Sequence, residues 1–185
     1  MIRRIFFLLF PLLCLSFFLN ACKAPPNYLA YQSKSFCAEV QGTMSGIEFE
    51  AQIEIKKSNA VPTEAMTGDR LNAYELEIRY LAPKELDGIC LSVKYDPNTK
   101  SMHSTAGLGE LSVNIPREHI KGWLRPAESL LLPSQEKIES VQKTKNGYLL
   151  TFKGDISLTV DPSGRPLSLQ SPEISFSVVR FQAET

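Results

Sequence analysis

The chain has 185 residues, 43% of them hydrophobic, and its 20 basic side chains are balanced by 20 acidic ones. Without a basic block or aromatic–basic interleaving, it lacks the electrostatic footprint of a nucleic-acid binder. The length suits one domain, and a domain of roughly 150 residues buries about 70% of its extended-chain surface, so its core needs no staples.

Residues 1–21 read as a signal peptide. Arg3 and Arg4 supply the positive start, and Ile5 to Leu19 form an apolar stretch interrupted by Pro11 and Ser16. That stretch falls short of the ~20 apolar residues a bilayer-spanning helix needs, so removal fits better than a permanent span. Its end, Leu19-Asn20-Ala21-Cys22, resembles the bacterial lipobox, with Asn20 departing from the small residue usual at that position. Cys22 is therefore the expected lipid-attachment site. Each buried methylene of an acyl chain adds ~0.8 kcal/mol, so several chains (diacylglyceryl, palmitate) hold such a protein at a membrane. The expected location is the extracytoplasmic side of a cell membrane or outer membrane. Residues 22–34, with Pro25-Pro26 and several polar side chains, read as a lipidated tether, and 35–185 as the folded domain. Loss of Arg3 and Arg4 with the signal leaves 18 basic against 20 acidic residues, a net charge of −2.

From there the pattern has a period of two. Phe36, Ala38, Val40 and Met44 alternate with Cys37, Glu39, Gln41 and Thr43; Ser45-Gly46 follows as a tight hairpin; and Ile47 to Lys56 alternate without error. Such alternation specifies a half-buried antiparallel strand. After a polar loop over residues 58–70, Tyr74, Leu76, Ile78 and Tyr80 share one face. A turn over residues 82–88 leads to Ile89, Leu91, Val93 and Tyr95, and residues 99–114 hold one or two short strands. Between Pro116 and Leu132 the rhythm becomes helical at Ile120, Trp123 and Leu124, but Gly122 and Pro126 predict only one or two short helical turns. Strands resume at Ile138 and Val141. Asn146-Gly147 marks a hairpin into Tyr148, Leu150 and Phe152, Gly154-Asp155 a turn into Ile156, Leu158 and Val160, and Asp161 to Pro166 a turn into Leu167 and Leu169. Ile174, Phe176 and Val178 close the series. About nine strands in hairpin order make a mainly β fold whose apolar face must be covered, either by strong curvature around the helical segment or by closure into a lipocalin-like barrel.

Several of these segments resemble the family of the lipoprotein carrier LolA, with LolB and LolA-like lipoproteins of Gram-positive bacteria such as GerS. They are the hairpin of Phe36 to Val40 with Gly46 to Ala51, the strand–turn–strand of Tyr80 to Gly88, the Pro- and Leu-containing helical insert, and the terminal run of Tyr148 to Phe152, Ile156 to Asp161 and Gly164 to Leu167. The resemblance covers most of residues 35–182 and rests on element order and loose motifs. It implies a half-open antiparallel barrel, a strongly curved sheet whose concave face is lidded by short helices. In the carriers that face holds the acyl chains of lipoproteins; other relatives bind protein partners.

Motifs for chemistry are sparse. His103 and His119 have no ligand partner at metal spacing, there is no G-x-S-x-G, and Ser134-Gln135-Glu136-Lys137 matches S-x-x-K without its companion motifs. The chain is accordingly read as a non-enzymatic binding protein with no metal or cofactor. Phe49, Ile53, Leu76, Ile78, Tyr80 and Trp123 are the candidates to line a cavity for a lipid or acyl chain. The alternative is a protein-interaction or regulatory module of the cell envelope with no small-molecule ligand. Cys37 and Cys90 form a possible disulfide. The oxidising compartment favours it, whereas a simple meander would leave strands one and four ~14 Å apart, too far for a bond.

Overall fold

A computed structural model describes residues 26–58 and 73–184. The signal segment, Cys22 and nearly all of the polar loop expected over 58–70 lie outside the described residues.

Alternation produces the strands it predicts: β1 (Phe36–Met44), β2 (Ile47–Lys57), β3 (Tyr74–Ala82), β4 (Ile89–Asp96), β5 (Ser101–Leu108) and β6 (Leu111–Asn114) precede a helix, α1 (Arg117–Leu131). After it come β7 (Ile138–Thr144), β8 (Gly147–Phe152), β9 (Ile156–Val160), β10 (Pro166–Gln170) and β11 (Ile174–Ala183). All eleven belong to one antiparallel sheet, ordered β6-β5-β4-β3-β2-β1-β11-β10-β9-β8-β7. The first six strands step outward from β1 to one edge, α1 crosses to the other edge, and the last five step back until β11 pairs with β1. The edges β6 and β7 do not meet, so the sheet is curved and unclosed rather than a lipocalin-like barrel. It holds two more strands than the nine expected, because the short segments around residues 99–114 each form a full ladder partner.

Curvature has a local cause. At Leu81, Glu139, Leu167 and Val179 the pairing register shifts by one residue. Such bulges sharpen the twist of a sheet. At the β1–β11 seam, Gly42 lies opposite both Phe49 and Phe176, whose rings meet edge-on at 6.4 Å. A Cβ on Gly42 would fall 2.0 Å from the Ser175 carbonyl oxygen, so only glycine allows this approach.

α1 corrects the expectation of one or two short helical turns: it is a single helix of 15 residues with Pro126 inside it. A proline ring collides with the carbonyl four residues earlier and removes one hydrogen bond, at a cost of ~3 kcal/mol. Here that carbonyl belongs to Gly122, and Ile120, Leu124, Ala127, Leu130 and Leu131 are buried against the sheet. Burial of five apolar side chains, at roughly 1.5–3 kcal/mol for each large one, outweighs the proline.

One further expectation changes, and one alternative left open is decided. Residues 28–33, read as tether, belong to the domain: Leu29, Tyr31 and Gln32 are buried, and Ala30–Ser33 form a 3-10 turn. The strands β1 to β4 are a simple meander, and Cys37 and Cys90, on its polar face, are free thiols. Three strand spacings, ~14 Å, separate them.

Candidate ligand-binding cavity

The side chains expected to line a cavity are instead packed solid beneath α1. Phe49 and Ile53 on β2, and Leu76, Ile78 and Tyr80 on β3, are all at most 3% exposed. The Tyr80 hydroxyl donates to the Trp123 carbonyl oxygen at 2.5 Å, and the two rings meet edge-on at 6.0 Å. Burial pushes the Tyr80 phenol well above its ordinary range, so the hydroxyl remains a donor. This cluster moors the helix to the sheet. Among the candidates, Trp123 borders a cleft of about 300 Å³ shared with Met44, Ile47, Gly122, Arg125 and Glu173.

A larger cavity, about 620 Å³, lies at the other end of α1. Its floor is a cross-strand row in which Ile138 of β7 faces Phe152 of β8, which in turn faces Ile156 of β9. Leu169 lies behind that row, while Ser129, Leu132 and Pro133 contribute the wall where the helix ends. Glu136, Lys137, Glu139 and Lys153 place two charges of each sign on the lining. Ser134 and Lys137 of the S-x-x-K match also stand there, with Lys137 exposed.

Dimensions explain the opening. Eleven strands at ~4.8 Å spacing make a sheet about 48 Å wide. A helix of 15 residues at 1.5 Å per residue is only about 22 Å long. It packs over β2–β4 and β10–β11, leaving the concave surface of β7–β9 to the segment that follows the helix. That segment is fastened from the N-terminal side. The Tyr31 hydroxyl donates to the Leu130 carbonyl at 2.7 Å, and the Gln32 amide donates to the carbonyls of Leu130 and Pro133 at 2.9 and 3.0 Å. Carbonyls at a helix C-terminus lack intrahelical donors, and these side chains supply them.

Gly122, Arg125, Ser129 and Leu132 recur at helical spacing along one side of α1 and its C-cap, which borders both openings. On the smaller opening, Arg125 forms an ion pair with Glu173 from the β10–β11 turn. A more buried pair joins the two ends of the helix, Arg117 from its first turn with Glu128 from its last, at 3.0 Å. Sequence reasoning placed Phe152 and Ile156 on apolar strand faces and Ile138 and Leu169 in strand segments but had no signal that the helix would stop short of them. Both histidines are exposed, with His103 bonded to Ser101. Among the described residues no cluster of metal-ligating side chains occurs, and no helix is long and apolar enough to cross a membrane.

No family model and no curated protein matches the chain. Among solved structures, it is similar to an uncharacterized conserved protein from Thermus thermophilus, at 15% identity and a TM-score of 0.48, over 85% of this chain and 83% of that one. It is also similar to a DUF1329 family protein from Desulfovibrio piger, at 9% identity and a TM-score of 0.41, over 86% of this chain and 91% of the other.

Proposed function

We propose that this protein is a lipid-anchored extracytoplasmic lipoprotein of the LolA-like kind that takes a hydrophobic ligand, a lipid or acyl chain, in the cavity over β7–β9. The observation that carries the reading is a cavity of about 620 Å³ with an apolar floor of Ile138, Phe152, Ile156 and Leu169. Pockets for single small ligands span roughly 300–1,000 Å³ and are mostly apolar. The charges on the lining balance, which suits a ligand held by its hydrocarbon part rather than by a charged head.

Native mass spectrometry of the purified protein tests this directly. Co-purified lipid, absent from an Ile156→Trp variant whose indole projects from the cavity floor into the acyl path, is the expected result. A protein that carries no lipid and takes up no added hexadecanoate would remove the reading. The anchor has its own test: Cys22→Ser should abolish acylation and leave the precursor unprocessed or the protein released. A variant that still partitions into the detergent phase like the parent would refute lipidation at Cys22.

A second reading, an envelope protein-interaction module, draws on the β6 edge, where Leu108, Leu111 and Val113 are exposed. Exposed apolar edges invite strand addition by a partner. Cross-linking through β6 that persists in a cavity-filled variant would favour it.

A further inference from the structure

We infer that the cavity shelters an acyl chain carried by Cys22 of the same molecule, so that one chain of the anchor is also the cavity's resident ligand. The inference rests on the proposed lipidation and acyl binding. What carries it beyond them is the path of the described N-terminus.

That path begins at the segment that walls the cavity. The Pro26 carbonyl accepts a hydrogen bond from the Gln135 amide at 3.2 Å, and both neighbours of Gln135, Ser134 and Glu136, line the cavity. Tyr28 packs edge-on against Tyr148 at 5.0 Å. Tyr31 and Gln32 then hold the Leu130 and Pro133 carbonyls, as described above. The chain is thus fastened at Pro26 to the segment that walls the cavity, and Asn27 and Tyr28 run from there to the β9–β10 turn beside Gly164, at the strand ends opposite Phe152 and Ile156. Cys22 precedes Pro26 by four residues, which span at most about 14 Å when extended. An acyl chain on Cys22 extends that reach.

Energetics favour the resident chain over a free one. Hydrocarbon gains ~0.8 kcal/mol per methylene whether it enters a bilayer or an apolar cavity, so moving one chain between them costs little. Tethering sets its effective concentration near the millimolar range, well above a free ligand at micromolar levels. A thioether-linked glyceride has no charge at the attachment point, and the lining, with two lysines and two glutamates, carries no net charge. The remaining chains stay in the membrane and keep the protein there.

Hydrogen exchange separates the possibilities. The lipidated full chain and its Cys22→Ser counterpart are compared in phosphatidylglycerol vesicles, with acylation of the first verified by mass. Amides of residues 132–139 and 150–158 are expected to exchange about tenfold more slowly in the lipidated protein. Added hexadecanoate should confer the same protection on Cys22→Ser. In an Ile156→Trp background the two forms should exchange alike, while β1–β3 remain protected and report an intact fold. If hexadecanoate protects both forms and without it the lipidated protein exchanges like Cys22→Ser, the protein's own chain lies elsewhere. The inference then falls and the acyl-binding reading stands. If hexadecanoate protects neither, acyl binding itself falls and the inference with it.

Discussion

Tyr80 carries a hydroxyl into the core and commits it to the Trp123 carbonyl, a polar link between β3 and the centre of α1 that stands within the aromatic cluster. Tyr80→Phe keeps the ring and removes the link. It should lower stability by about 1 kcal/mol, read as a thermal midpoint about 3 °C lower. An unchanged midpoint would mean that the bond adds nothing over solvent. The two thiols obey a different rule. Both lie on the polar face, yet sheet order holds them apart, so peptide mapping of the unreduced protein should recover Cys37 and Cys90 singly alkylated and never linked. Burial, with Glu77 beside it, pushes the Cys90 thiol up to about 11. Only the thiolate reacts, so Cys90 alkylation should be slow at neutrality and rise about tenfold per pH unit up to about pH 10. A rate flat across that range would refute the shift.

Turns and helix breaks decide the elements. In the β9–β10 turn, the Asp161 carboxylate accepts hydrogen bonds from the backbone N–H of Ser163 at 2.8 Å and of Arg165 at 2.9 Å, and from the Ser163 hydroxyl at 2.6 Å. Partial burial by itself would raise its pKa, but these donors outweigh burial and hold the carboxyl below its ordinary range. A carboxyl depressed in the folded state stabilises the fold above its unfolded pKa, and that contribution is lost as pH falls through the folded value. Asp161→Asn should therefore lower the midpoint at neutral pH and flatten the loss of stability on acidification below about pH 4. An identical acid limb in both proteins would contradict this. Glycines give a paired test. Gly122→Ala adds a methyl where nothing lies within 4 Å and should stabilise α1 by roughly 0.5–1 kcal/mol. Gly42→Ala drives its methyl into the Ser175 carbonyl and should cost about 3 kcal/mol, because the seam between the two sheet halves must open. Equal effects of the two substitutions on urea unfolding would show that neither the helix nor the seam is as described.

The molecule as a whole is governed by a mismatch between one helix and a wide sheet. The helix packs over β2–β4 and β10–β11, falls short over β7–β9, and leaves the opposite edge, β6, open to solvent. Leu111 on β6 is 77% exposed, and an apolar edge of this kind is a template for unwanted pairing. Leu111→Lys should leave stability within about 0.5 kcal/mol of the parent while reducing self-association at high concentration, as light scattering would measure. A clear loss of stability would instead show that Leu111 is covered in solution.

Much of this was legible in the residues themselves. Side chains alternate across a strand, so the period-two runs of Phe36 to Ile55 and Tyr74 to Tyr95 named both the strands and their buried faces. Ser45-Gly46 and Asn146-Gly147 marked their hairpins because few residues tolerate positive φ, which Ser45, Gly46 and Gly147 adopt here. The length of α1 was not legible, since the cost of Pro126 is local whereas the burial that offsets it depends on a sheet assembled from both ends of the chain. The cavity was hidden for the same reason. Local sequence determines which face of each strand is apolar. Whether an apolar face becomes packed core, as at Phe49 and Ile53, or open cavity, as at Phe152 and Ile156, depends on where a distant helix stops, and only the tertiary structure decides that.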